Sequence, residues 1–182
     1  MGIIRKPYTN WLYLFDYFYP YRATTMIHYE NSIDIQKPRE LVFNFLTLPS
    51  NWAEYLPTTI AVTPVISRNF NVGVRVTETL NILGSKTDIQ WTCKKNDSLS
   101  FYEIEGISQK HGGSTTLLSY EFSGQNGITR IKRVISHRFD KLRMRILDPI
   151  WKIYFMYEAN VAFKRAKQIL ESLTDDSINK RT

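Results

Sequence analysis

A single cysteine, Cys93, stands in a chain of 182 residues. It excludes an intrachain disulfide and fits a reducing compartment. No apolar run approaches the ~18 residues that a membrane-spanning helix requires. Residues 10–21 are apolar but crowded with tyrosine and interrupted by Asp16, and they lack a small-residue cleavage site, so they do not read as a standard secretory signal. No glycine-rich phosphate loop and no Gly-x-Ser-x-Gly elbow occurs. The three histidines, His28, His111 and His137, lie far from one another and from Cys93, without zinc-ligand spacing. No two carboxylates sit in an evident acid–base setting. The expectation is therefore no metal and no cofactor. These absences narrow the chemistry without excluding catalysis, because catalytic triads are defined by geometry rather than by order in the chain.

What is present is a globular composition, 43% hydrophobic and 14% aromatic, without repeats or low-complexity tracts. One domain with a real core is expected. Its organising stretch is Asp148–Leu173. Asp148 is placed to cap a helix, Pro149 suits the first helical position, and no glycine or further proline follows. Trp151, Phe155, Ala159, Ala162, Ala166, Ile169 and Leu173 fall in one stripe, and Asn160, Lys164, Lys167, Gln168 and Glu171 oppose it in the second half. From Ile150 to Tyr157 the helix is apolar nearly all round. A helix of roughly 35–40 Å is predicted, with a sheet against its stripe.

The rest of the chain reads in order. Residues 1–22 form an aromatic leader in which Trp11, Leu14, Phe15 and Phe18 share a helical face, with Thr9 or Asn10 as a cap and Pro20 as the stop. That face packs on the domain or on lipid. Residues 24–36 alternate, with Ile27, Tyr29, Ile33 and Ile35 on one side of a strand. A helix opened by Pro38 buries Leu41, Val42, Phe45 and Leu46. A second short helix carries Trp52, Tyr55 and Leu56, which either gate a cavity or pack a core. Six strand-like runs follow at 58–65, 72–83, 86–95, 98–107, 114–124 and 128–139, joined by links short enough for hairpins. Inward faces are assigned to Val74/Val76/Glu78/Leu80/Ile82, Ile89/Trp91/Cys93, Leu118/Tyr120/Phe122 and Ile131/Arg133/Ile135/His137/Phe139. The parity of 98–107 is ambiguous. Seven strands and one long helix bury each other only if the sheet curves around the helix. The domain spans 23–174, and 175–182 is a polar tail.

Several short stretches carry a resemblance. They are Ile33-Asp34-Ile35 leading into Lys37-Pro38 and Val42-Phe43, then Trp52 with Tyr55-Leu56-Pro57, then Val72-Gly73, and finally Ala166-Lys167-Gln168-Ile169-Leu170-Glu171. With the element order, they make residues 24–173 resemble the START-like superfamily, also called Bet v 1-like or SRPBCC, nearest its polyketide cyclase/dehydrase and lipid-transport type. One departure is that Leu48-Pro49-Ser50-Asn51 has no acidic residue before Trp52, where many relatives have one. The resemblance implies an α+β helix-grip fold: a seven-stranded curved antiparallel sheet around a long C-terminal helix, with two short helices after the first strand. It also implies a cavity for a hydrophobic or amphipathic small molecule such as a lipid, isoprenoid or polyketide-like compound.

Val76, Glu78, Leu80, Trp91, Leu118, Tyr120, Arg133, His137, Phe155 and Ala162 are the expected ligand-binding residues. Glu78, Arg133 and His137 interrupt apolar strand faces. Because burying an unpaired charge is costly, they are read as ion-paired, as anchors for a ligand head group, or as acid–base groups of a cyclase/dehydrase- or aromatase-type enzyme. The carrier reading is preferred to the enzyme, and an interaction module with a vestigial cavity is a third class. Charge is concentrated: residues 130–152 hold eight basic residues against two acids, a net +6 of the chain's +7. Lys141-Leu142-Arg143-Met144-Arg145-Ile146-Leu147 alternates basic and apolar residues and suits an anionic membrane surface. Nucleic acid is disfavoured, since no recognition motif or basic helix is present. A cytoplasmic protein is the expectation, its basic segment either a solvated surface over inward-packed Leu142, Met144 and Ile146 or a peripheral contact with membrane.

Overall fold

The computed structural model describes residues 27–66, 70–110 and 113–173, with Arg143 described by its backbone alone. The aromatic leader and its expected helix, residues 24–26 of the expected first strand, and the tail 175–182 lie outside the described residues.

Alternation builds the first strand, β1 (Ile27–Ile35), whose Ile27, Tyr29 and Ile35 are buried while His28, Glu30 and Asp34 are exposed. Two short helices follow, α1 (Arg39–Thr47), which buries Val42, Phe45 and Leu46, and α2 (Trp52–Tyr55), with a 3₁₀ turn at Pro49–Asn51 between them. The meander is β2 (Thr59–Thr63), β3 (Arg75–Ile82), β4 (Ser85–Asp97), β5 (Phe101–Ser108), β6 (Ser114–Ser123) and β7 (Thr129–Phe139). A one-turn helix, α3 (Leu142–Arg145), leads to the long helix α4 (Asp148–Ser172). The seven strands form one sheet in the order β1-β7-β6-β5-β4-β3-β2, with every neighbouring pair antiparallel. The first strand thus closes against the last, Ile27 opposite His137 and Ile35 opposite Thr129.

Several local expectations are corrected. Asp148 is the first residue of α4 rather than its cap, and its side chain makes no capping hydrogen bond. Strand β3 begins at Arg75 rather than at 72, because Gly73 takes a φ of +85° in the turn that precedes it. The ambiguous strand resolves with Tyr102, Ile104, Gly106 and Ser108 inward. The segment 141–147, whose basic and apolar residues alternate in sequence, winds into α3.

The packed half of the molecule lies where α1 and α2 close on the sheet. Trp52 meets Phe70 and Trp91 edge-to-face at 6.1 and 6.2 Å, and Phe43 meets Phe122 at 4.9 Å. The second half of α4 joins this core through Ala162, Phe163, Ala166 and Leu170. Phe163 and Leu170 lie beside the expected stripe, and Ile169 is only partly buried. Burying a side chain of this size contributes about 1.5–3 kcal/mol.

Candidate functional site

The first half of α4 meets the sheet along β7, where Phe155 packs on His137 and Trp151 on Phe139, and stands off the strands beyond it. Between them lies a cavity of about 390 Å³, within the roughly 300–1,000 Å³ of small-molecule sites. Its floor is the inward face of the strands, and its roof is Trp151, Tyr154, Phe155, Glu158, Ala159 and Ala162. Alanines at 159 and 162 leave room that larger side chains would fill. The rim includes the exposed Leu83 and Lys110 and the half-buried Met144. Leu83 and Gly84 form the two-residue β3–β4 turn, both with positive φ. That backbone favours Asn-Gly, so a leucine held there at the rim is a local cost of roughly 1 kcal/mol.

Nine sequence candidates line this cavity: Glu78, Leu80, Trp91, Leu118, Tyr120, Arg133, His137, Phe155 and Ala162. Val76 does not. It sits two residues nearer the packed end, in the core with Trp52 and Phe70. Trp52 and Tyr55 are also core, the Tyr55 hydroxyl donating to the Leu46 carbonyl at 2.9 Å, whereas Leu56 reaches the cavity wall.

No family model and no curated protein matches this sequence. Solved structures do match its fold. A START superfamily protein from Mycobacterium smegmatis superposes with a TM-score of 0.65 at 10% identity, over 82% of this chain and 100% of that one. Protein CV1439 from Chromobacterium violaceum gives 0.65 at 12% identity, over 80% and 99%. Ara h 8.0201 gives 0.58 at 11% identity, over 82% and 100%. The chain has the START-like, Bet v 1-like helix-grip fold.

Three polar groups of the cavity, Glu78, His137 and Arg133, each have a partner of their own. Glu78 is buried, and its two oxygens accept hydrogen bonds from the Thr59 hydroxyl and, at 2.7 Å, from Trp91 Nε1. Desolvation raises the Glu78 pKa, opposed by those two bonds. His137 Nδ1 lies 2.7 Å from Thr116 Oγ1, and its ring is flanked by Phe139 at 4.5 Å and Phe155 at 4.9 Å. This apolar setting lowers the imidazole to about 4, so it is neutral near pH 7. Arg133 donates through Nε to Asn31 Oδ1 at 3.1 Å and lies over the Phe163 ring at 4.3 Å. Glu78 and Arg133 stand on β3 and β7, four strands apart in the sheet. Arg133 and His137 are four residues apart on one face of β7, about 13 Å along the strand. No hydrogen bond joins any two of Glu78, Tyr120, Arg133 and His137 among the described residues.

Among the described residues, buried polar atoms without partners cluster at this cavity. They include Arg133 Nη2, His137 Nε2, Trp151 Nε1 and Glu158 Oε2, all on residues of the cavity wall. Burial raises the Glu158 carboxyl and takes Tyr154 up to about 12. Tyr154 and Glu158 were not among the sequence candidates, although their i, i+4 spacing beside Trp151 and Phe155 placed them at the edge of the stripe. Burial also pushes the Cys93 thiol up to about 11. It is therefore a protonated core side chain rather than a nucleophile. Among the described residues no group of histidine, cysteine and carboxylate side chains is arranged to hold a metal ion.

The basic segment divides. On β7, Arg130 pairs with Asp34 and Lys132 with Glu30, each at 3.0 Å. Arg145 donates to the Phe139 carbonyl at 2.7 Å and braces α3 on the strand. Met144 turns to the cavity, while Leu142 and Ile146 stay exposed. Ile146, Ile150 and Ile153 are 74%, 65% and 70% exposed, and Tyr157 continues their row at helical spacing. No helix among the described residues is long and apolar enough to cross a membrane.

Proposed function

We propose that this protein binds and carries a hydrophobic or amphipathic small molecule between the curved sheet and α4. The observation that carries the reading is the cavity itself: about 390 Å³, walled mostly by aliphatic and aromatic side chains with a few polar groups among them. The solved structures that share its fold include a protein described as a START superfamily member. A cyclase/dehydrase- or aromatase-type enzyme would use the same space, but acid–base catalysis needs groups converging on one reacting atom. Here Glu78, Arg133 and His137 are each held by a separate neighbour, which favours carriage.

The carrier meets an anionic membrane through the α3–α4 corner. Leu142, Ile146, Ile150 and Ile153 form an exposed apolar row beside Lys141 and Lys152, and Met144 of the same corner lines the cavity. Apolar residues at the acyl boundary with lysines at head groups suit an interfacial site. Native mass spectrometry of protein purified from its own host, followed by extraction, tests the carrier reading. A retained small apolar compound is expected. Protein that is mass-identical to the bare chain, and that takes up no apolar probe, would reject it.

A further inference from the structure

Arg133 is only 2% exposed. Its guanidinium is charged at any physiological pH, and an unpaired charge in an apolar setting is among the costliest arrangements in a protein. No described carboxylate forms an ion pair with it. The two carboxyls of the cavity wall are engaged or distant. Glu78 is held by Thr59 and Trp91, and the cation acting on Glu158 is Arg165. The guanidinium is nevertheless firmly placed. Asn31 accepts from Nε, Asn31 in turn donates to Asn160 at 3.2 Å, Tyr29 donates to Asn160 at 3.1 Å, and Phe163 backs the guanidinium face. One side of the group is thereby fixed by β1 and α4, while Nη2 is buried without an acceptor in the wall of the cavity. Among the described residues it is a preorganised cation with no anion paired to it.

Resting on the carrier reading, we propose that the ligand is an amphipathic anion whose oxyanion head group seats on Arg133, its apolar tail running toward Phe155 and Trp151. A carboxylate or a phosphate monoester offers the required oxygens, and either matches the guanidinium fork. Phe139, near the rim, lies six positions beyond Arg133 on β7, about 20 Å of strand. The head group therefore lies deep and the tail points outward.

The test is calorimetric titration of delipidated protein with dodecanoate, dodecyl phosphate and dodecanol, each below its micellar concentration. At least one anion should bind about tenfold or more tightly than the alcohol, as hydrogen bonds to a charged group allow. The tighter anion identifies the head group. Arg133→Gln should bind anion and alcohol alike. Equal affinities in the unaltered protein, or a preference that survives Arg133→Gln, would overturn the anion assignment while leaving the carrier reading intact. Failure of all three probes to bind would remove both. Arg133→Met in the empty protein gives a second readout, since replacing an unpaired buried cation should raise the melting temperature. A lower melting temperature, or an Arg133→Gln chain that does not fold, would mark the arginine as a structural brace and overturn the proposal.

Discussion

Gly106 lies directly across from Trp91 in the β4–β5 ladder, and a Cβ on it would fall 2.7 Å from Cε3 and Cζ3 of the indole. The absence of a side chain on β5 lets the Trp91 ring lie over the strand, from where Nε1 reaches Glu78. Gly106→Ala should push the ring aside and lengthen that hydrogen bond. A loss of about 1–3 kcal/mol is expected, read as a lower denaturation midpoint together with a shifted tryptophan emission. Unchanged stability would mean that the ring moves freely.

Glu78→Gln tests the other end of that contact. The carboxylate accepts from two donors, Thr59 and Trp91. An amide accepts with its oxygen only and sets its NH₂ against one of those donors. Stability should fall by about 1–3 kcal/mol, without loss of apolar-probe binding. Should a reaction be found, unchanged turnover in Glu78→Gln and in His137→Ala would remove both from its machinery.

His137 makes stability pH-dependent. Its folded value is about 4, against an ordinary value of 6.5. Between those values the unfolded chain binds the proton and the folded chain does not, so stability rises with pH. The contribution, about 3 kcal/mol, is fully present above about pH 6.5 and is lost progressively as pH falls to about 4. Melting curves from pH 4 to 7 should show a shallower slope in His137→Gln than in the unaltered chain.

Ala159→Phe fills the cavity from its roof. Because the new ring enters open space rather than a packed core, the fold should persist with a melting temperature close to the original. Binding of an apolar fluorescent probe should drop severely. Full probe binding in this variant would place the ligand elsewhere.

How far these features were legible in the sequence depended on periodicity. The alternation in Ile27–Ile35 and in Ile131–Phe139, and the stripe of α4, named the inward faces because strands and helices have fixed periods. Periodicity does not distinguish a side chain that lines a void from one that packs, so Val76 and Glu78 looked alike until α1 and α2 were seen to close on only one half of the sheet. The parity of β5 is ambiguous in sequence because Gly106 stands on its inward face, where Trp91 takes the space, while Ile107 stands exposed on the other. Arg133 stood out as a charge among Ile131 and Ile135. That Asn31 accepts from it required the pairing of β1 with β7, which no local pattern encodes.

The α3–α4 corner gives a membrane prediction. Vesicles containing anionic lipid should co-sediment the protein, less so in high salt as screening shortens the reach of Lys141 and Lys152. Ile150→Asp with Ile153→Asp should abolish binding to these vesicles, since two charges would enter the acyl boundary. Lys141→Gln with Lys152→Gln should weaken it by about 1 kcal/mol per lysine. Equal sedimentation with neutral and anionic vesicles, or none with either, would discard the membrane site.

The pairing of the first strand with the last bears on how the molecule is made. Even the nearest of those partners, Ile35 and Thr129, are separated by most of the domain, a high contact order that slows folding. During vectorial synthesis β1 leaves the ribosome early and waits for β7, its buried-face residues Ile27, Tyr29 and Ile35 meanwhile open to chaperones. The roof helix is translated later still. A nascent chain therefore has the strands that floor the pocket before it has the helix that roofs it.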